Sequence, residues 1–391
     1  MRRYRTQAAL AVASILSAAA GAATAADAPA KSRFDELLQS TGLTVSGYVA
    51  ASYQASNGYP VASPDGFAFF PHQFDIEHNT FQLDQAGLQV AYQPKEGFGA
   101  LVDLIAGEDA RILHAAEDGN DNTFEVRQAF LQYATGPFTI MAGKFVTLAG
   151  AEVINPTFNT NFSRSLLFTE SEPLTHTGIR GAYAATGEVT IYAGINNGWN
   201  ITSMSYGSKT GELGVAFAPS SKLFSLAVNA YSGKVEAFDA QKTLIDFVGT
   251  YNVTSQLSIV LNFDWDRQQD GLIDTSTGAL QDASWHAAAL YVNYAINDAW
   301  RVSVRGEYLD DMDGFVTGAG QTLKEGTVTV GYSPAKNFEL RAEFRYDKSG
   351  SGTPSFYRTR TAFASGRPDS DSLSGFALQG VYKFSAPAPS S

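Results

Sequence analysis

Residues 338–347 read FELRAEFRYD, and this decapeptide decides the fold. Phe338, Leu340, Ala342, Phe344 and Tyr346 share one parity, and Glu339, Arg341, Glu343, Arg345 and Asp347 share the other. Successive side chains of an extended strand point to opposite faces, so the stretch has one apolar face and one charged face. Residues 257–266, LSIVLNFDWD, repeat the arrangement: Leu257, Ile259, Leu261, Phe263 and Trp265 oppose Ser258, Asn262, Asp264 and Asp266. Working outward, about sixteen such segments appear, each near the ~9–11 residues a tilted strand needs to cross a bilayer. They lie near 43–54, 80–93, 99–108, 123–135, 138–147, 175–185, 188–195, 209–218, 223–233, 242–252, 257–266, 283–296, 299–309, 322–333, 337–347 and 372–384.

The connections alternate in length. PKEG, GP, TG, PSSK, VTSQ, ND and PAK are short, whereas 55–79, 109–122, 148–174, 267–282 and 348–371 are long. Short periplasmic turns and long external loops are the asymmetry of an outer-membrane barrel. Aromatic residues flank the short turns: Tyr92, Phe98, Tyr133, Phe138, Tyr183, Phe217, Phe224, Tyr251, Tyr294, Trp300, Tyr332, Phe338 and Phe384. Each falls on the apolar parity of its strand, as an interfacial girdle requires. The reading is therefore all-β: a transmembrane antiparallel β-barrel. Unpaired backbone groups are intolerable in hydrocarbon, so the last strand must close on the first.

Composition agrees. Aromatic residues make up 12% and charged residues 17%, while mean hydropathy is only −0.12. No run long enough for a helical span occurs beyond the N-terminus. There, Arg2, Arg3 and Arg5 precede an apolar run from Ala8 to Ala20 and an A-x-A-like site at residues 23–26, the pattern of a secretory signal peptide. Residues 1–25 are assigned to the signal, 26–42 to a periplasmic segment with a short helix near 33–40, 43–384 to the barrel and 385–391 to a tail. Loss of the three arginines with the signal takes the net charge from −12 to −15. An acidic chain without a basic patch is a poor partner for nucleic acid. With no cysteine, thiolate metal sites, disulfides and cysteine nucleophiles are excluded.

Barrels of about sixteen to eighteen strands enclose water, whereas about eight strands leave a filled interior. The inward parity carries Asp103, Arg180, Glu188, Asp246, Asp264, Asp266, Arg301, Arg305, Glu307, Glu339, Arg341, Glu343, Arg345 and Lys383. Charges of both signs in these numbers require a wet lumen. Arg301 with Arg305, and Arg341 with Arg345, should form a basic ladder on one wall. The loop 148–174 carries Glu152, Arg164, Glu170 and Glu172. It is expected to fold inward as a constriction, its acids facing the ladder and setting a transverse field. The alternative leaves the loop outside and pairs the arginines with Glu307, Glu339 and Glu343. Arg127, Lys144 and Lys324 fall on apolar parity toward the external rim, either as ligands for lipopolysaccharide phosphates or, on the simpler reading, because of local bulges.

Catalytic and metal signals are weak. His72 to His78, HQFDIEH, has no ordered ligand spacing and reads as a solvated loop. Glu117 to Thr123 is oxygen-rich but lacks an EF-hand spacing. His176 and His286, with Ser163, Ser165 and Ser284, show no nucleophile elbow or ordered triad. Neither enzyme activity, cofactor nor metal site is expected.

The stretches FDELLQSTGLTVSGYVAASYQ (34–54), FGALVDLIAGEDA (98–110) and AGKFVTLAGAEVINPTFNTNFSRSLLF (142–168), followed by PLTHTGIRGAY and YAGINNGWN, resemble the putative β-barrel porin-2, or OmpL-like, family. The resemblance runs from about residue 34 to the C-terminus. It implies an outer-membrane porin: a passive diffusion channel for small hydrophilic solutes or ions, embedded in lipid and lipopolysaccharide. A homotrimer follows from the class of protein, not from particular residues. A non-channel adhesive or structural barrel acting through its external loops is the other reading.

Overall fold

In the computed structural model the alternating segments are strands. The structure describes residues 38–59, 72–118, 122–203, 207–235, 240–350 and 354–387; the expected signal peptide lies outside them. Sixteen strands, each hydrogen-bonded to its sequence neighbours, form one closed barrel: β1 (Thr44–Ser56), β2 (Thr80–Tyr92), β3 (Gly97–Ala106), β4 (Phe124–Thr135), β5 (Phe138–Val146), β6 (Thr175–Ala184), β7 (Val189–Asn196), β8 (Thr210–Phe217), β9 (Phe224–Val235), β10 (Ala240–Asn252), β11 (Leu257–Ile273), β12 (Leu280–Ala295), β13 (Trp300–Asp311), β14 (Gln321–Ala335), β15 (Phe338–Ser349) and β16 (Ser372–Ala386). The antiparallel β1–β16 pairing, from Val45↔Ala386 to Ser56↔Gly375, closes the cylinder and leaves no sheet edge facing lipid.

The girdle forms by cross-strand register. Phe98 opposes Tyr133, Phe138 opposes Tyr183 and Trp300 opposes Tyr332, with ring centroids 4.8, 4.6 and 4.5 Å apart. Above it, apolar side chains such as Val304, Val328 and Phe344 stand outward in one row. The interior holds the polar parity together with the loop between β5 and β6.

Several details differ from the sequence reading, each for a local reason. The segment 267–282 is no loose loop: β11 and β12 continue into it as a hairpin, pairing Ile273 with Leu280. Asp274 tightens the turn by accepting the backbone N–H of Ser276 at 2.8 Å and of Thr277 at 3.2 Å. The external segment after β3 folds as α1 (Glu108–Asp118); the oxygen-rich run at 117–123 lies partly outside the described residues. Glu188, expected on the wall, sits in a periplasmic turn and accepts from Ser220. Of the helix expected near 33–40, the described part is helical over 38–41.

Two of the three parity-breaking cations point inward. The β3–β4 register shifts between Asp103↔Gln128 and Leu104↔Val126, so Arg127 is the extra residue of a bulge. Its guanidinium donates to Asp103 Oδ2 at 2.7 Å and to Tyr48 Oη at 2.7 Å. Gly143, at φ 138°, breaks the alternation of β5 and buries Lys144, whose Nζ donates to Glu125 Oε1 at 2.7 Å. Lys324 stays outward, opposite Tyr308 on β13 and Lys348 on β15.

Candidate functional site

The lumen is built by the inward faces of the strands and by the loop joining β5 to β6. That loop contains a 3₁₀ turn (Pro156–Phe158) and the short α2 (Leu166–Glu170). It runs inside the barrel. Gly150 N–H donates to Asp246 at 3.1 Å and Ala151 N–H to Asn262 at 2.7 Å, fixing its entry to β10 and β11. Leu166 N–H donates to Glu307 at 2.6 Å, and the N–H groups of Phe162 and Ser163 donate to the two oxygens of Glu343 at 2.6 and 2.9 Å. Arg301 and Arg341 donate to the loop carbonyls of Thr160 at 2.6 Å and Pro156 at 3.0 Å. On the opposite wall, Gln85 of β2 donates to the carbonyl of Ile154 at 2.9 Å. The loop therefore reaches across the lumen from β10 to β2.

The basic ladder exists as a geometric object. Gly331 of β14 pairs with both Arg301 and Arg341, and Thr327 with both Arg305 and Arg345, so the four arginines form two rows across one strand. They are not free. Arg305 is fully buried, 2.8 Å from Glu152, 2.8 Å from Glu307 and 3.3 Å from Glu325, and it also donates to Ser163 O and Oγ at 2.8 and 2.9 Å. Arg341 meets Glu339 at 2.7 Å, and Arg301 shares that carboxylate at 2.6 Å. Arg345 pairs with Asp75 and, at 2.9 Å, with Asp347. The two readings weighed from sequence thus combine: the loop is inside, and the arginines are largely neutralised by wall carboxylates beneath it.

The loop's own charges divide. Only Glu152 meets the ladder. Arg164 braces the loop instead, donating to the carbonyls of Val153, Ile154 and Phe162 at 2.8–2.9 Å and lying over the rings of Phe74 and Phe168. Glu170 and Glu172, expected to face arginines, turn aside toward the neighbouring β10–β12 stretch of the wall. Glu172 lies against Asp246 and Asp264, and Glu170 ends α2 beside it. The reason is α2, which ends at Glu170 and carries the chain back toward β10–β12, where Trp285 Nε1 donates to Ser171 Oγ at 3.2 Å. Arg180 pairs with Glu212 at 2.6 Å and stacks over Phe145 at 4.2 Å.

The segment from residue 72 corrects another expectation. His72 is buried, with Nε2 2.7 Å from Asp347 and Nδ1 2.6 Å from the carbonyl of Arg164, so it helps hold the loop. His176 stacks on Tyr231, whereas His286 faces outward on β12. Neither meets Ser163 or Ser165 as a triad would require.

Among the described residues, two adjoining cavities border the loop. The larger, of about 740 Å³, opens at the end carrying Lys336, Asn337 and Lys383 and is roofed by Asn155, Thr157 and Phe158 of the loop. The smaller, of about 220 Å³, continues past Gln128, Val146, Glu152 and Leu174; both are lined by Gln89, Asp103, Arg127, Asn155 and Phe158. The sequence reading missed the importance of this β2–β5 side because Arg127 stood on the wrong parity until the bulge reoriented it. Asn229, Glu212 and Glu325 lie on the polar parity of their strands and could have been found by the same alternation. Trp285, an aromatic on the inward face, could not.

The sequence model of the putative β-barrel porin-2, OmpL-like, family matches residues 42–384. The chain belongs to that family. It is an outer-membrane porin. The fold of this porin resembles solved outer-membrane barrels at low sequence identity. The outer-membrane channel DcaP of Acinetobacter baumannii is similar with a TM-score of 0.59 and 13% identity, covering 92% of this chain and 100% of that one. OprB of Pseudomonas putida gives 0.60 and 13%, covering 89% and 96%. The trimer form of OmpT from Vibrio cholerae gives 0.56 and 14%, covering 88% and 99%. No curated protein matches the sequence.

Proposed function

We propose that this porin admits small hydrophilic solutes down their gradients, with the loop between Thr147 and Leu174 as its constriction and passage on the β2–β5 side. One observation carries the reading: the loop is hydrogen-bonded to β10, β11, β13 and β15 on one wall and to Gln85 on the other. The arginine ladder then serves chiefly to seat the loop. Asp103 and Arg127 border the remaining space, and Lys336 and Lys383 border its periplasmic vestibule. A mixed-charge passage of this kind sorts solutes by dipole as well as by net charge.

Outer-rim contact with lipopolysaccharide is supported by the outward Lys324, adjacent in register to Lys348. A homotrimer is supported by the trimer form of OmpT. The decisive experiment is single-channel conductance of a variant lacking 155–170. Conductance should rise; an unchanged value removes the constriction. Liposome swelling separates the channel from an adhesive barrel, since the latter leaks no sugar.

A further inference from the structure

The β10–β11 side of the loop carries a cluster of which the channel reading uses only Asp246. Glu172, Asp246 and Asp264 each place a carboxylate oxygen within 4.8 Å of the other two, and all three residues are buried. Asp266, on the same face of β11, is buried beside them. Asp246 has conventional partners: Gly150 N–H at 3.1 Å, Asn262 Nδ2 at 3.0 Å and Asn229 Nδ2 at 2.8 Å. Glu172 has none. It is 6% exposed, and neither of its oxygens accepts a hydrogen bond from any described residue. A buried carboxylate aimed at two others without a donor is a costly arrangement unless a positive charge completes it. Lys242 lies with its ammonium over the ring of Trp199 at 3.7 Å.

Gly150, at φ 90°, lets the Glu172 carboxylate seat against its Cα, where a Cβ would collide with it. The donors are all oxygens, with neither histidine nor cysteine in the group, which selects a hard cation. Mg²⁺ dehydrates reluctantly and keeps several waters, whereas Ca²⁺ accepts several carboxylates in a flexible geometry, so a buried set of three carboxylates favours Ca²⁺.

We propose that Glu172, Asp246 and Asp264 form a Ca²⁺ site that clamps the returning end of the constriction loop to β10 and β11. Through Asp246 the same ion braces Gly150, so both ends of the loop are tied at one point. The site is independent of which solute the channel carries.

The test uses full-length mature protein, refolded without lipopolysaccharide, stripped with EDTA and titrated with CaCl₂ by calorimetry. One Ca²⁺ should bind per chain. Glu172→Gln and Asp264→Asn should each weaken binding at least tenfold, while Asp274→Asn at the exposed hairpin tip should leave it unchanged. Heat-modifiable mobility on gels checks that each variant is folded; if one is not, the other decides. Absence of saturable uptake by the folded wild type, uptake that survives the substitution, or equally tight Mg²⁺ binding would overturn the assignment. Because binding is read directly, a negative result leaves the conductance experiment unaffected.

Discussion

Arg305→Met removes the guanidinium at the centre of the loop's seat while keeping much of the side-chain volume. In the structure Arg305 is fully buried and reaches Glu152 and Glu307 at 2.8 Å, Glu325 at 3.3 Å, and two oxygens of Ser163 at 2.8 and 2.9 Å. Its loss strands three buried carboxylates and breaks two hydrogen bonds to the loop. Removing one partner of a buried ion group costs about 3–5 kcal/mol, mostly through the charges left behind. At 1.4 kcal/mol per decade, that raises the undocked fraction of the loop by roughly two to three and a half orders of magnitude. Other tethers remain at Asp246, Asn262 and Glu343, so the barrel itself should stay folded. Planar-bilayer recordings should therefore show frequent excursions to a larger conductance, absent from the wild type. Adding Glu152→Gln should restore part of the quiet behaviour, because the loop then carries no charge in need of that partner. Wild-type conductance and noise in a folded Arg305→Met variant would refute the claim that this network holds the loop.

Two further outcomes follow from other parts of the fold. Asp109, on α1, is buried and accepts from Gln85 at 2.7 Å; burial, aided by Asp84, holds its carboxyl well above the usual range. The folded chain then retains a proton that the unfolded chain has released, so stability is full below the ordinary carboxylate range and falls as pH rises through the elevated value. Asp109→Asn keeps the acceptor and cannot ionise, and its thermal-unfolding temperature should exceed the wild type's increasingly from pH 5 to pH 8. Val328 stands outward, flanked by Val304 and Phe344, near the middle of the lipid-facing band. Val328→Arg should cost about 2–4 kcal/mol in urea titrations of folding into liposomes; a change below 1 kcal/mol would mean this face does not meet hydrocarbon.

The barrel was legible because its signal is local. FELRAEFRYD displays two faces in ten residues, and the phenylalanines and tyrosines beside each short turn display the girdle without knowledge of any partner strand. The strand count and the order of connections needed nothing more. Where alternation failed, one extra residue was responsible: the bulge at Arg127 converts an apparent lipid-facing cation into a lumen-facing one. His72 read as solvated because nothing near it in sequence announces Asp347.

The amino-acid sequence alone determined a closed sheet with a wet interior, since hydrocarbon tolerates no unpaired backbone and the side-chain period of two sorts every residue to one medium or the other. Only the tertiary structure decided what the interior charges do. Arg305 meets Glu152 across 153 positions of chain, and Glu172 meets Asp246 and Asp264 rather than the arginines. Such pairings depend on where a long loop comes to rest inside the cylinder, and no local periodicity encodes that.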